Sequence, residues 1–355
     1  DLSSSVHEKI NNGIDDLNAI EDNLKLWLDA KTIIGTHSIA RWIDISGNKN
    51  HAKQPLQTKQ ANYDRSTTSV VFNGTNTMYD LGTNLTTNTS YTVVIVESRT
   101  TNKGNNFFFG QNGSSGTNEN IHLGYKTPHS LTLAHSNNDI DSSRVREMVG
   151  TDVSIFRFNK IGAPSHVINF NGELVGNGKT GGELINNGHN IIGQGNNGYY
   201  QGRIKEIMVF NTNLSDTDIA KINYYLSKKW GLLRTMDSDD DGLEDHAEIE
   251  FNSSPILATS KPNGNLSASV HRRINNGAND LDSIKNDLKL WLDGQNIITR
   301  ENNGLIHGSK ISKWVDLSGN GNHARQPTSN EQPQYLSDYQ SIKFDGGNDA
   351  LSIGT

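Results

Sequence analysis

The sequence predicts an all-β fold, a two-sheet sandwich with flanking helices, and three observations carry that prediction. From 68 to 212 the chain is a succession of short β-branched and aromatic runs divided by Gly and Asn clusters. The turn signals return at the spacing of about 8–12 residues that sandwiches show. Helical periodicity is confined to stretches outside that region. The chain of 355 residues contains no cysteine, so it offers neither a disulfide framework nor thiol chemistry.

The elements follow in order. Val6, Ile10, Ile14, Leu17, Ile20 and Leu24 recur at steps of three and four, which puts them on one stripe of a helix spanning 1–23, and Ser5 and Glu8 stand at capping-box spacing. Gly13 interrupts it and costs about 1 kcal/mol against alanine, so this helix leans on tertiary contact. TSVVFNG, SYTVVIVES, NFFFGQNG, HLGY, SLTLAH, DVSIFRFN, HVINFNGELVG, HNIIGQG and GRIKEIMVFN each suit short strands. A second helix closes the region. Ser215 and Asp218 cap it, Ile219, Ile222, Leu226 and Trp230 form its apolar face, and Gly231 stops it. Trp27, Trp42 and Trp230 are expected in the core.

The chain repeats itself. DLSSSVHEKINNGIDDLNAIEDNLKLWLDA at 1–30 returns as NLSASVHRRINNGANDLDSIKNDLKLWLDG at 265–294, and RWIDISGNKNHAKQP at 41–55 as KWVDLSGNGNHARQP at 313–327. FDGGNDALSIGT at 344–355 faces FNGTNTMYDLGT at 72–83. One full repeat and the first part of another give five segments: a helix over 1–23, a sandwich over 24–233, a linker over 234–264, a helix over 265–287 and an incomplete sandwich over 288–355. Three or so strands cannot close a sandwich without baring an apolar face. The expectation is an excerpt from a longer array, with completion by strands of another chain as the alternative. A start at Asp1 without methionine fits processing or excision.

LKLWLDA, RWIDISGNKNHAKQ, VVFNGTNTMYDLG, the FNGELVGNG hairpin and GRIKEIMVFNTNLSDTDIAKINYYLSKKWGL resemble the laminin G-like, concanavalin A-like jelly rolls of bacterial secreted proteins. The resemblance covers about 24–233 and again 288–355. It implies a two-sheet jelly roll with the last helix packed beside it. It does not imply one function, because such domains bind glycans, bind proteins or stand passively beside enzymes.

Between the two copies lies DSDDDGLEDHAE, 237–248, five aspartates and two glutamates in twelve residues. Asp237, Asp239, Asp241, Leu243, Asp245 and Glu248 fall at positions 1, 3, 5, 7, 9 and 12 of a calcium-loop pattern, with Gly242 at position 6. Alternate carboxylates can converge on a hard cation, Leu243 supplies a carbonyl and Glu248 can close the site with two oxygens. Gly231 before the loop and Pro255 after it leave no room for the two helices of an EF-hand. With FNSSP following, the loop resembles the calcium loops of thrombospondin type 3 and dockerin-like repeats, and Ca2+ is the cofactor expected. A Ser/Pro/Gly-rich linker follows, so calcium is expected to turn a self-repelling hinge into an ordered joint. Extracellular calcium modules bind at roughly 0.1–1 mM, which points to an extracellular or cell-surface location.

Charge narrows the rest. Thirty-two basic against 39 acidic residues give a net charge of −7 without a basic arm, which argues against nucleic acid. Runs such as YTVVIV are far too short to span a bilayer, and no signal peptide opens the chain. No strand carries the paired carboxylates of a glucanase, HAEIEF belongs to the acidic loop, and Glu206 stands alone. His51 and His323 are read as turn or packing residues. The function expected is a non-enzymatic segment of a tandem-repeat adhesin, stalk or filament component, with neighbouring repeats as partners. The alternative is a calcium-dependent lectin with Asn196, Asn197, Tyr199 and Tyr200 as its ligand-binding residues, or, further off, an accessory domain of a glycoside-active enzyme; glycans and host or cell-surface proteins are the further partners expected.

Overall fold

The computed structural model describes residues 18–35, 37–113, 116–143, 145, 150–250, 253–260, 287–294, 297, 305–318, 320–337 and 341–353. The expected helix over 1–23 lies outside them up to residue 17, with Val6, Ile10, Ile14, Leu17 and the Ser5/Glu8 pair, and that over 265–287 does so apart from its last residue. What is described of the first is one short turn, α1 (Asn18–Glu21). Leu24 is not on that helix. It opens strand β1 (Leu24–Asp29), where five of the six residues are buried. Its spacing from Ile20 fits a helical stripe, but LKLWLD buries both faces, as a central strand does.

Described by contact, the chain forms two compact units. One holds the residues up to Phe170 with Leu174–Asp218, the other Asn171–Glu173 with Ile219 onward. The first is the sandwich, and its two sheets hold eight strands each. The first sheet runs in the order β14 (Glu173–Gly178), β13 (His166–Phe170), β12 (Asp152–Phe158), β7 (Tyr91–Arg99), β18 (Gln201–Phe210), β5 (Ser69–Asn73) and β4 (Asn62–Asp64), with β1 also paired to β18. The second runs β11 (Ile140–Asp141), β10 (Ser130–Ala134), β9 (His122–Thr127), β8 (Asn106–Gln111), β15 (Asn190–Ile192), β6 (Tyr79–Asp80), β3 (Ala52–Lys53) and β2 (Arg41–Trp42). Every pairing resolved in register within these sheets is antiparallel. The fold class read from sequence, a two-sheet sandwich of jelly-roll type, is what the structure has.

One core fills the space between the sheets. Leu26 and Leu28 of β1, Trp42, Phe72, Tyr79, Val93, Ile95, Phe108, Phe109, Leu123, Tyr125, Phe156, Ile168, Ile204 and Ile207 belong to it, all buried. Fully burying such side chains stabilises by about 1.5–3 kcal/mol each before entropy is charged against it. Trp27 and Trp42 are inside, as expected. Trp230 is only half-buried.

Helix α2 (Asp216–Trp230) ends as its sequence indicates. Ser215 Oγ accepts from the Asp218 amide at 3.2 Å and donates to the Asp218 carboxylate at 2.6 Å. At the other end Gly231 takes φ +73° and the Leu232 amide reaches the Ser227 carbonyl at 2.7 Å, a glycine C-cap.

The elements of 28–80 recur after 288. Strands β2 and β3 correspond to β19 (Lys313–Trp314) and β20 (Ala324–Arg325), and the 3-10 turn Gln57–Lys59 to Ser329–Glu331. Strands β4 and β5 correspond to β21 (Gln334–Leu336) and β22 (Ser341–Lys343). Isolated bridges repeat as well, Leu28 to Asp44 as Leu292 to Asp316 and Ser38 to Asn62 as Lys310 to Gln334.

Candidate functional site

The acidic stretch folds into a tight loop because its own aspartates tie down its backbone. Asp237 accepts from the amides of Asp241 (3.2 Å) and Gly242 (2.9 Å), and Asp241 Oδ1 accepts from the Leu243 amide (2.9 Å). Asp240 and Gly242 take φ +61° and +99°, the left-handed geometry that the reversal requires. The loop sits on the tip of the Asn171–Gly172 turn, where the Asp237 amide donates to the Asn171 carbonyl at 3.2 Å. A Cβ on Gly172 would come within 1.5 Å of the Asp237 carbonyl oxygen, so only glycine allows this approach.

The result is a concentration of negative charge, with the buried Lys313 as a cation acting on Asp237. Carboxylate oxygens of Asp237, Asp239 and Asp241 lie within 4.8 Å of one another. Both Asp239 oxygens and Glu248 Oε2 are buried without a hydrogen-bond partner, while Glu248 Oε1 accepts from Ser253 Oγ at 3.2 Å. Burial and the neighbouring Asp241 push Asp239 up to about 7. Burial, then Asp239, Asp241 and Asp245, push Glu248 up to about 10. Asp237 is raised well above the carboxylate range by burial and by Asp241. Buried acceptors that nothing satisfies are costly, of order 1–3 kcal/mol each and more when charged.

Of the six loop positions singled out in sequence, Asp237, Asp239 and Asp241 come together and Glu248 faces them. Leu243 buries its side chain against Ala247, Val315 and Leu317, with Trp291 at the edge. Asp245 departs from its expected place. Its oxygens accept from Ser227 Oγ, from Ser238 N (2.9 Å) and from Ser238 Oγ (2.9 Å), so it is held as a brace at the start of α3 (Asp245–Glu250) instead of grouping with the three aspartates. Asn223 Nδ2 adds a bond to the Ser238 carbonyl at 3.2 Å. A serine in the last turn of the preceding helix, 18 residues away, is invisible to a twelve-residue motif.

The second candidate site changes more. Asn196 and Asn197 are exposed and take φ +41° and +64°, making the turn between β16 (Gln194–Gly195) and β17 (Gly198–Tyr199), and Tyr199 is half-exposed. Tyr200 is wholly buried between the sheets, edge-on to Phe72 and Phe108, and donates to Glu97. It cannot offer a face to a sugar, which corrects the expectation for that residue.

Glu97 is the acid that sequence reading missed. It is buried on β7, accepts from Tyr125 Oη at 2.6 Å and from Tyr200 Oη, and pairs across the strands with Asp152. Burial, then Asp152, raise it to about 7. The Arg99 guanidinium lies 3.8 Å from the centre of the Tyr125 ring and donates to the Pro128 carbonyl at 2.6 Å. With Glu97 fully buried and Asp152 2% exposed, the pair is a sealed core network, out of reach of a substrate. His51 and His323 are turn residues, their Nδ1 atoms accepting from the amides of Asp44 and Asp316 at 3.0 Å each.

No protein-family model matches the sequence, and no curated protein matches it. Among solved structures the chain is similar to a carbohydrate-binding module, CBM40 of the Ruminococcus gnavus IT-sialidase bound to α2,3-sialyllactose, at 18% identity over 42% of this chain and 91% of that one, TM-score 0.35. It is similar to domain 4 of the GH43 extracellular arabinanase AbnA of Geobacillus stearothermophilus in complex with arabinotriose, at 14% identity, 54% and 94% coverage, TM-score 0.41. A Trypanosoma rangeli sialidase in complex with sialic acid matches at 10% identity, 64% and 38% coverage, TM-score 0.44.

Proposed function

We propose that this chain is a non-enzymatic segment of a tandem-repeat extracellular or cell-surface protein, an adhesin, stalk or filament component, whose junction loop 237–248 binds Ca2+. The observation that carries the reading is the set of buried, unpartnered carboxylate oxygens on Asp239 and Glu248 beside Asp237 and Asp241. Hard oxygen donors crowded in this way match a divalent cation that accepts six to eight oxygens. The cation would supply charge neutralisation and no chemistry of reaction. Asp237, Asp239, Asp241 and Glu248 would hold it with the Leu243 carbonyl, while Asp245 keeps the loop on its helix.

The test is calorimetric titration of the full chain with calcium, paired with small-angle scattering in calcium and in chelator. One site is expected, with a dissociation constant of roughly 0.1–1 mM and a stiffer particle when filled. Asp239→Ala with Asp241→Ala should remove both. Absence of binding by the parent chain at several millimolar would overturn the reading. The glycan reading now rests on Asn196, Asn197 and Tyr199. A glycan array on the parent and on Tyr199→Ala decides it, and equal capture by the two would remove that site.

A further inference from the structure

The acidic loop is engaged by five residues of the second copy, and the first copy carries an identical or chemically similar residue at each of the five positions. Leu243 and Ala247 pack on Val315 and Leu317, with Trp291 partly buried against them. The imidazole of His323 lies against Gly242, its Nε2 only 2.5 Å from where a Cβ would stand. Lys313 is 2% exposed, a buried cation whose charge is felt at Asp237. Sequence repetition maps these residues onto Trp27, Arg41, Ile43, Ile45 and His51.

The scaffold under the two sets is the same. Asp44 Oδ1 accepts from the Trp27 amide and Asp316 Oδ1 from the Trp291 amide, at 2.9 Å each. Asn48 Nδ2 reaches the Leu24 carbonyl and Asn320 Nδ2 the Leu288 carbonyl, at 2.8 Å each. The burial differs: Ile45 and Leu317 are buried alike, while Trp27 is more deeply buried than Trp291. Val315 is 1% exposed and Ile43 is 38% exposed, and Arg41 is exposed where Lys313 is buried. A cavity of about 590 Å³ continues the face, lined among others by Ile33, Ile34, Arg41 and Ile43, and Ile34 is fully exposed.

We propose that the face formed by Arg41, Ile43 and His51 is a docking surface for an acidic calcium-loop segment of the kind spanning 237–248, presented by a repeat that lies ahead of this one. Three features fit that occupant. Ile43 supplies the apolar patch that receives Leu243 and Ala247 equivalents, Arg41 supplies the cation opposite the first aspartate, and the outer edge of His51 meets the glycine of the loop. Ile43 and the fully exposed Ile34 both line the cavity, so the bare apolar surface here is a patch of two residues. The inference rests on the repeat reading above and is independent of whether the loop holds calcium.

The experiment joins a second copy of residues 219–264 directly ahead of Asp1 in the full chain, at the link that 264 makes to 265. Backbone hydrogen exchange over 41–53 is compared with that of the parent chain, in calcium and in chelator. Docking is expected to slow exchange there by about tenfold or more, and Ile43→Asp in the extended chain is expected to restore the parent rate. Exchange equal to the parent's, or slowing that survives Ile43→Asp, overturns the proposal. Calcium stoichiometry keeps the two readings apart. Two ions bound with unchanged exchange would sink docking and leave the calcium reading standing, whereas slowed exchange with no ion bound would do the reverse.

Discussion

The turn Arg41–Ala52 and the turn Lys313–Ala324 are nearly the same sequence, and they differ in what surrounds them. In both, an aspartate collects its own turn's amides, a histidine Nδ1 accepts from that aspartate's amide and an asparagine clips back to the leading strand. In the first copy the strand beneath is sealed. Trp27 is fully buried, donates to Glu206 at 2.7 Å and lies on a strand paired with β18. In the second copy Trp291 is half-buried, and among the described residues its segment pairs through a bridge from Leu292 to Asp316. The outer side shows the opposite pattern, since Val315 is covered and Ile43 is bare. Local sequence dictates the turn, and burial depends on which neighbour is present.

The contrast is broken most strongly at the tryptophans. Trp27→Ala leaves a cavity and strips Glu206, 1% exposed, of a donor. It should cost about 3–5 kcal/mol. Trp291→Ala, at a half-buried site, should cost under about 2 kcal/mol. Denaturant unfolding followed by circular dichroism measures both, and equal costs would refute the claim that only the first copy has a sealed strand here.

The next comparison exchanges the surfaces. Val315→Asp places a charge under Leu243 and Ala247 and should destabilise the junction by about 2–3 kcal/mol, whereas Ile43→Asp in the unmodified chain should lie within about 0.5 kcal/mol of zero. Proteolysis of the 250–260 linker reports the first and thermal melting the second. Protection of the linker in Val315→Asp would contradict the packing of the acidic loop on Val315.

Much of this was legible in the sequence, for physical reasons. The strands announced themselves by β-branched runs between Gly and Asn turns, and the closing helix by Ser215, Asp218 and Gly231, because those signals are local. Three features were not local. Leu24 fits a helical stripe by its distance from Ile20, yet β1 pairs with β18, which begins at Gln201. Tyr199 and Tyr200 look alike in sequence, but adjacent residues of an extended chain face opposite ways, so one is half-exposed and the other joins the core. Glu97 finds its partners 28 and 103 residues away, and no spacing rule reaches that far.

Acid acts on the sandwich through two histidines between residues 84 and 233. His135 bonds to Tyr91 Oη at 2.6 Å and to the Gly182 carbonyl, and His166 bonds to Ser165 Oγ at 2.7 Å while its Nε2 is buried without a partner. Burial lowers His135 to about 3 and His166 to about 4. Both stay neutral in the folded state while the unfolded chain takes up protons below its ordinary value of 6.5. Stability is therefore full above pH 6.5 and falls as the pH drops toward 4, by about 1–2 kcal/mol for each histidine at pH 5. Calorimetry from pH 7 to 5 should show this slope, and His166→Asn should remove about half of it. A slope unchanged in that variant would mean that His166 is protonated in the fold.

The smallest effect is the most discriminating, because it changes sign. Asp239 is crowded by Asp241 and has two buried oxygens without partners, so in chelator it opposes folding of the loop. Asp239→Asn removes that charge at constant shape and should stabilise the chelated junction by about 1 kcal/mol, within what relief of an unpaired buried charge provides. With calcium at a few times its dissociation constant the parent chain gains about 1 kcal/mol by mass action, and the variant, lacking one anionic ligand, gains less. The order of stability should then draw level or invert. A purely acidic, solvated linker would show neither effect, and a loop braced only by hydrogen bonds would show the same order in both solutions. An inversion between chelator and calcium, read from exchange of the amides of α3, therefore identifies the crowding of these carboxylates as the cost that a cation offsets.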